Sequence, residues 1–314
     1  MIVTGKGGTG KTTVVAALGL AGARAGKRVL LAETGRDEQI PSLLDPGSPA
    51  VGYQGRELLP GITAMRIDPF AALAEYLGLQ LGVQGLVNFV LDNAAFRQLM
   101  NASPGWRELI TLGKVWHFEQ MQDPDGRDLY DLIIVDAPAT GHGVTFLDVP
   151  RVVATAVRAG PLRRNAKRVE EMIEDPERTL LLPVALAEEL PTRETAELVE
   201  RLRDGMGIAV DRVIVNGVVP APFPSGLEDL DEHLARLPGD TDLGSLPSAA
   251  ALAHCAAHLR ARHELNRGYV EEIARLTDLP VTLLPYLFGG IQGPDQVASL
   301  ADAVVAGPRE ADPR

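Results

Sequence analysis

The nine residues Gly5-Lys6-Gly7-Gly8-Thr9-Gly10-Lys11-Thr12-Thr13, set directly behind the apolar Met1-Ile2-Val3-Thr4, constrain the fold of this chain more than any other stretch. They fit the pattern G-x-x-x-x-G-K-[ST], with Gly5, Gly10, Lys11 and Thr12 in the defining places. Without a Cβ, glycine lets successive backbone N–H groups turn inward and form a nest for an anion. Lys11 brings a positive charge for the outer phosphates of a nucleotide, and the Thr12 hydroxyl suits Mg2+. An Ala/Leu-rich run follows from Val14 to Ala25 and ends at Gly26 and Lys27. It predicts a helix whose positive dipole end faces the same phosphates. A strand, a glycine-rich loop and a helix in that order predict an α/β nucleotide-binding fold rather than a structural turn.

The 314 residues suffice for one large α/β domain or two smaller ones with ample core. Thirty Lys and Arg against 42 Asp and Glu leave a formal charge of −12. That argues against general nucleic-acid binding, where phosphate neutralisation needs a basic face. The single cysteine, Cys255, rules out an intrachain disulfide and a Cys-only metal site within one chain. Its Ala/Leu-rich surroundings predict a buried small residue. No run reaches the ~20 apolar residues that span a bilayer. The chain enters strand and loop at once, so no signal peptide and no direct membrane insertion are expected, and a cytoplasmic location is.

Apolar strands alternate with helical patterns along most of the chain, which predicts a mostly parallel, doubly wound sheet covered on both faces. Arg28-Val29-Leu30-Leu31-Ala32-Glu33 and Ile62-Thr63-Ala64-Met65-Arg66-Ile67 read as strands. Asp131-Leu132-Ile133-Ile134-Val135-Asp136 reads as one buried on both faces. Further strands are expected at 179–187, 211–216 and 280–284, and helices at 193–204 and 248–277. Leu190-Pro191-Thr192-Arg193-Glu194 reads as the turn and cap opening the first of these helices. Between residues 69 and 122 the alternation gives way to a helical pattern. This predicts a helical insert subdomain, 69–122, within a nucleotide-binding domain made of 1–68 and 123–314, with Pro104-Gly105 at one junction. Residues 76–91 carry no charge and fit either the core of the insert or an apolar surface for a hydrophobic helix. Residues 220–247, rich in Pro, Gly and Asp, read as a long surface loop with at most one short helix.

A second motif is Asp136-Ala137-Pro138-Ala139-Thr140-Gly141-His142-Gly143. An acid at the C-terminal tip of a central strand lies beside the phosphate loop in this fold class. It can hold a Mg2+-bound water, and the Pro/Gly-rich turn behind it can respond to the γ-phosphate.

With these residues in place, the chain resembles the ArsA-type anion-transporting ATPases, the family that includes the arsenite-pump ATPase and the targeting ATPase for tail-anchored membrane proteins. The likeness rests on residues 5–13, and on 136–143 continuing into Leu147-Asp148-Val149-Pro150-Arg151. It extends to residues 182–190, to Val213-Ile214-Val215-Asn216 and to Leu283-Leu284-Pro285-Tyr286. It spans nearly the whole chain and is weakest over the insert and the 220–247 loop. The resemblance implies a P-loop NTPase of the deviant Walker A class that binds ATP and Mg2+. It implies a dimer of identical or paralogous subunits, with Asn216, Pro285 and Tyr286 around the adenine; Asn216 equally fits a turn or capping residue. It also implies that Lys6, the second lysine of the loop, reaches phosphates held by the partner subunit. A helical insert that grips a partner, such as a hydrophobic helix of a membrane protein, completes the analogy.

Three departures qualify the likeness. Family members carry an aspartate just after the second strand that orients the attacking water, and Glu33-Thr34-Gly35-Arg36-Asp37 has glycine there. Either Asp37 or Glu33 substitutes by a shift of the loop, or hydrolysis is slow. The paired cysteines that hold zinc in the targeting branch are absent, and an arsenite site built from cysteines cannot come from Cys255 alone. The expected catalytic set is Lys6, Lys11, Asp37 and Asp136, with Thr12 and Asp136 at the metal. Two rival readings stand beside an ATPase that switches its insert. One is a nucleotide-gated binding or scaffold protein with little turnover, which Gly35 favours. The other is a positioning ATPase of the ParA/MinD type, against which stand the acidic balance and the tail 308–314, unable to form a membrane-binding amphipathic helix.

Overall fold

The fold is seen in a computed structural model, which describes residues 1–307 apart from 82–92, 95–97, 99, 101–104, 140–142, 225, 228, 239–240 and 242. Most of the uncharged 76–91 stretch, Pro104, Thr140-Gly141-His142, part of the 220–247 loop and the 308–314 tail therefore lie outside the described residues.

The strands are β1 (Ile2–Thr4), β2 (Val29–Glu33), β3 (Arg56–Leu59), β4 (Ile62–Arg66), β5 (Leu132–Asp136), β6 (Leu181–Leu186), β7 (Val213–Val218) and β8 (Val281–Pro285). They form one sheet in the order β3-β4-β2-β5-β1-β6-β7-β8. All neighbours run parallel except β3 and β4. The helices among the described residues are α1 (Lys11–Arg24), α2 (Ile40–Leu44), α3 (Pro69–Leu81), α4 (Trp106–Glu119), α5 (Gly143–Ala156), α6 (Pro161–Glu174), α7 (Glu189–Glu200), α8 (Leu230–Ala235), α9 (Ala249–Thr277) and α10 (Pro294–Val305). A π-helical turn, Arg201–Gly205, extends α7.

Successive strand residues face opposite ways, and each face has its own core. Leu30, Ala32 and Val135 pack with Leu112, Val115 and Phe118 of α4, Phe146 of α5, Met172 of α6 and Ile273 of α9. Leu31, Ile134 and Val3 pack on the other side with Val14 and Val15 of α1, Ile40 of α2 and Leu300 of α10. This is the doubly wound sheet that the alternation predicts. Burying each such Leu or Ile contributes about 1.5–3 kcal/mol, so the central strands read as unbroken apolar runs. None of the helices among the described residues is long and apolar enough to cross a membrane.

Helix α9 is tied to the sheet at a buried point. Asn266, 2% exposed, donates from Nδ2 to the Ala187 carbonyl beyond β6 and accepts from the Val219 N–H beyond β7, both at 3.0 Å. His263 Nδ1 lies 2.8 Å from the Val219 carbonyl oxygen.

The structure corrects three expectations. Leu190–Glu194 is not a turn and cap: α7 already begins at Glu189, and Thr192 is fully buried with no partner for its hydroxyl. Pro191 is tolerated because the first helical turn needs no N–H from it. Cys255 is exposed, because α9 buries Ala249, Ala253 and Ala256 on one side and turns Cys255 outward. Residues 56–59 form an antiparallel edge strand, β3, where no strand is expected.

Candidate nucleotide site

The site lies where β1 and β5 end. Val3 and Asp136 are register partners, and the Ala137 N–H donates to the Val3 carbonyl at 3.0 Å. The acid at the tip of β5 thus stands beside the chain as it enters the loop, at the C-terminal edge where ligands bind in such sheets.

Close approach shapes the loop. A Cβ on Gly5 would sit 2.3 Å from the Val184 carbonyl oxygen of β6. Gly10 has φ 83°, and a Cβ there would sit 2.3 Å from Asn216 Nδ2. Thr9, 1% exposed, braces the turn by donating from Oγ1 to the Lys6 carbonyl at 3.0 Å. Gly7 and Gly8 face solvent, and Thr13 is half-buried on the first turn of α1. That turn has no side-chain cap and no acidic residue. Its first N–H groups have no carbonyl within the helix, so the positive end of α1 is left for an anion from outside the chain.

The chemistry-bearing side chains converge on this edge. Thr12 Oγ1 donates to Asp136 Oδ2 at 2.6 Å, and Thr34 Oγ1 donates to the Asp136 carbonyl at 2.7 Å. A hydroxyl oxygen and a carboxylate oxygen side by side are the hard donors that Mg2+ takes alongside phosphates. The donor set therefore fits Mg2+-ATP. Burial pushes the Asp136 carboxyl above the usual range, while the Thr12 hydrogen bond and the Lys11 charge pull it back. Burial likewise lowers Lys11, with Asp136 opposing. Lys11 Nζ donates to the Lys6 carbonyl at 3.0 Å, which curls it over the loop.

The remaining expected residues are placed as follows. Lys6 Nζ is ion-paired with Glu194 Oε1 of α7 at 2.6 Å. Asn216, within β7, donates from Nδ2 to the Thr9 carbonyl at 2.9 Å and so braces the loop from behind. Pro285 ends β8, and Tyr286 behind it is exposed and stacks edge-on against Phe288 at 5.2 Å between centroids. Asp37 is exposed on the loop after β2. Glu33, by contrast, is 2% exposed and is the register partner of Asp136. Its Oε1 accepts the N–H groups of Gln39 at 2.7 Å and Ile40 at 3.2 Å, while Oε2 is buried without a partner. Burial pushes this carboxyl up to about 7 against those two hydrogen bonds, and the charges of Asp136 and Glu38 push the same way. Glu194 and Thr34 are the contacts that sequence reasoning misses. The first lies 188 residues from Lys6, and no local signal links them.

Residues 1–161 and 161–228 match the anion-transporting ATPase family. Over 227 residues, 70% of this chain, the sequence is 35% identical to the ATPase BagA of Mycobacterium tuberculosis, and it spans 65% of that relative's length. It is 29% identical to the arsenical pump-driving ATPase of Acidiphilium multivorum over 237 residues, 70% of this chain and 39% of the relative. It is 24% identical to the ATPase GET3 of Lachancea thermotolerans over an alignment of 330 positions, gaps included, that covers 93% of this chain and 85% of the relative. The loop, the acid at the tip of β5 and the sheet order are those of a P-loop NTPase, and the match through residue 228 is more specific: the chain belongs to the anion-transporting ATPase family.

Proposed function

We propose that this protein is a Mg2+-dependent ATPase that works as a dimer and whose nucleotide state sets the position of its helical insert, 69–122. The observation that carries the reading is the pairing of Thr12 with Asp136 at 2.6 Å beneath an uncapped helix N-terminus and a left-handed Gly10. Bound Mg2+ would neutralise charge on the phosphates. The chain's own residues do the rest. Loop N–H groups and Lys11 bind and orient the phosphates, Thr12 and Asp136 hold the metal, and Asn216 keeps the loop in shape. Asn216, Pro285 and Tyr286 border the adenine. Asp136 also links the site to the loop after β2 through Thr34, so a change at the phosphates is felt at residues 34–39.

Lys6 acts on the phosphates of a second subunit, identical or paralogous, and the insert grips a partner such as an apolar helix of a membrane protein. Cytoplasmic residence fits that role. Arsenical handling through cysteine is not part of the proposal, because the chain's one cysteine is on the surface of α9. Steady-state ATP hydrolysis by the purified protein, with Lys11→Ala as the blank, tests the activity. Turnover absent from the blank supports it, whereas tight ATP binding without turnover refutes it. That second outcome matches the rival reading of a nucleotide-gated binder. It is favoured by Gly35, by the exposure of Asp37, and by the commitment of the Glu33 carboxylate to the start of α2.

A further inference from the structure

On the sheet face opposite α1, strands β2 and β4 and helices α3 and α4 line an open cavity of about 470 Å3. Its floor is Leu30 of β2 and Met65 of β4, and its roof is Ala71 and Ala74 of α3 with Phe118 of α4. The cavity lies over β4 and β2, with β5 between them and the β1 strand that leads into the phosphate loop. Its size falls within the ~300–1,000 Å3 of ordinary small-molecule sites. The cavity is open to solvent and lined by polar as well as apolar groups, so a ligand can enter it from the surface. Ala71 and Ala74, three apart on one helix face, leave the space open where larger side chains would fill it.

The polar groups set the chemistry of an occupant. Lys114 Nζ donates to both Glu75 oxygens at 2.7 and 2.8 Å, and the Tyr53 hydroxyl donates to Glu75 Oε2. The Lys114 side chain is 10% exposed, with its ammonium 4.5 Å from the Phe118 ring centroid and 5.3 Å from that of Tyr53. His117 Nε2 stands 3.8 Å from Glu75. The Lys114 and Glu75 charges satisfy one another, with Glu75 37% exposed, and no other charged side chain among the described residues lines the cavity to receive a charged ligand. Aromatic walls favour a flat ring. The exposed Gln54 amide offers hydrogen bonds, and the Thr63 hydroxyl, already bonded to Tyr130, keeps acceptor capacity for a donor.

We propose that this cavity is a small-molecule site, separate from the nucleotide site, for a neutral planar aromatic compound carrying a hydrogen-bonding group. An occupant touches α3, α4 and β2 together, and so ties two helices of the 69–122 segment to the strand that ends at Glu33. The inference stands whether or not the protein hydrolyses ATP.

The probe is 5-fluoroindole, neutral and bicyclic with one N–H donor. The readout is the methyl NMR spectrum of the full chain labelled at its 6 methionines. The Met65 signal should shift saturably while those of Met172 and Met206 stay in place. Ala74→Leu, which fills the cavity from a helical position, should weaken binding roughly tenfold or more at unchanged melting temperature. Ala71→Leu serves the same purpose if Ala74→Leu melts early. No saturable Met65 shift up to the solubility limit of the probe, or equal shifts at Met172 and Met206, would overturn the proposal. So would undiminished binding in a filled variant that folds.

Discussion

Replacing Glu33 with glutamine removes the charge from a carboxyl that is 2% exposed, while keeping an acceptor for the Gln39 and Ile40 N–H groups. Burial raises that carboxyl from 4.5 to about 7. Between those values the native state keeps a proton that the unfolded chain has released, so native stability falls as pH rises. The favourable term is fully present below 4.5 and is lost above about 7. A shift of that size corresponds to about 3 kcal/mol, spread at no more than ~1.4 kcal/mol per pH unit. The introduced amide N–H faces the spot where Oε2 has no partner. Its cost is the same at every pH, so the slope is read rather than the offset. Groups that do not interact with Glu33 titrate alike in both proteins and cancel in the difference, while the charge of Asp136 is part of what raises Glu33 and so part of what is read. The assay is urea unfolding of wild type and Glu33→Gln at intervals from pH 4.5 to about 8. The variant should gain about 3 kcal/mol on wild type across that range. Curves that stay parallel within roughly 0.5 kcal/mol, or a gain in the opposite direction, would show that Glu33 is ionised in the native state at neutral pH.

Three further outcomes are expected. Gly35→Asp fits without strain, since a Cβ there would meet only the Asp37 carbonyl at 3.6 Å; it should raise kcat about tenfold or more by giving the water an acceptor. An unchanged kcat, measured by phosphate release, would mean that the water is already positioned. Glu194→Gln frees Lys6 from a pair whose members are 36% and 41% exposed. It should cost less than about 1 kcal/mol of stability yet raise the ATP-dependent dimer fraction in sedimentation, and a lower fraction would rule out Lys6 as a cross-subunit group. Gly10→Ala places a methyl 2.3 Å from Asn216 Nδ2 at φ 83°; calorimetric titration should show ATP affinity reduced by roughly tenfold or more, and wild-type affinity would mean the loop is far more pliant than its contacts suggest.

The sheet is legible because parallel strands buried on both faces must be apolar throughout, as Val29–Glu33 and Leu132–Asp136 are. Their closing acids mark the functional edge, and the phosphate loop is legible from Gly5, Gly10, Lys11 and Thr12 at their spacing between a strand and a helix. Strand β3 escapes notice because Arg56–Leu59 sits at an edge with Leu58 as its one buried residue. Helices α5, α6 and α10 are not among the expectations. Proline sits inside α5 at Pro150 and opens α6 and α10, and it reads as a breaker even though a first turn tolerates it. Within the site, Thr12 and Asp136 are predictable as neighbours from fold class. The grip of Glu194 on Lys6 and the burial of Glu33 are not, since both depend on how α7 and α2 settle after the sheet has formed.

The fastening of α9 at Asn266 has a mechanical consequence. The helix spans 29 residues, and Asn266 lies 17 residues from its first, Ala249. At ~1.5 Å per residue the N-terminal arm is about 26 Å long. A pivot of roughly 5° about the fastening would sweep Ala249 by about 2 Å. The fulcrum rests on Val219, three residues beyond Asn216, which holds the phosphate loop by Thr9. A rotation of α9 about this fastening would therefore appear at Ala249 several times larger than at the fulcrum.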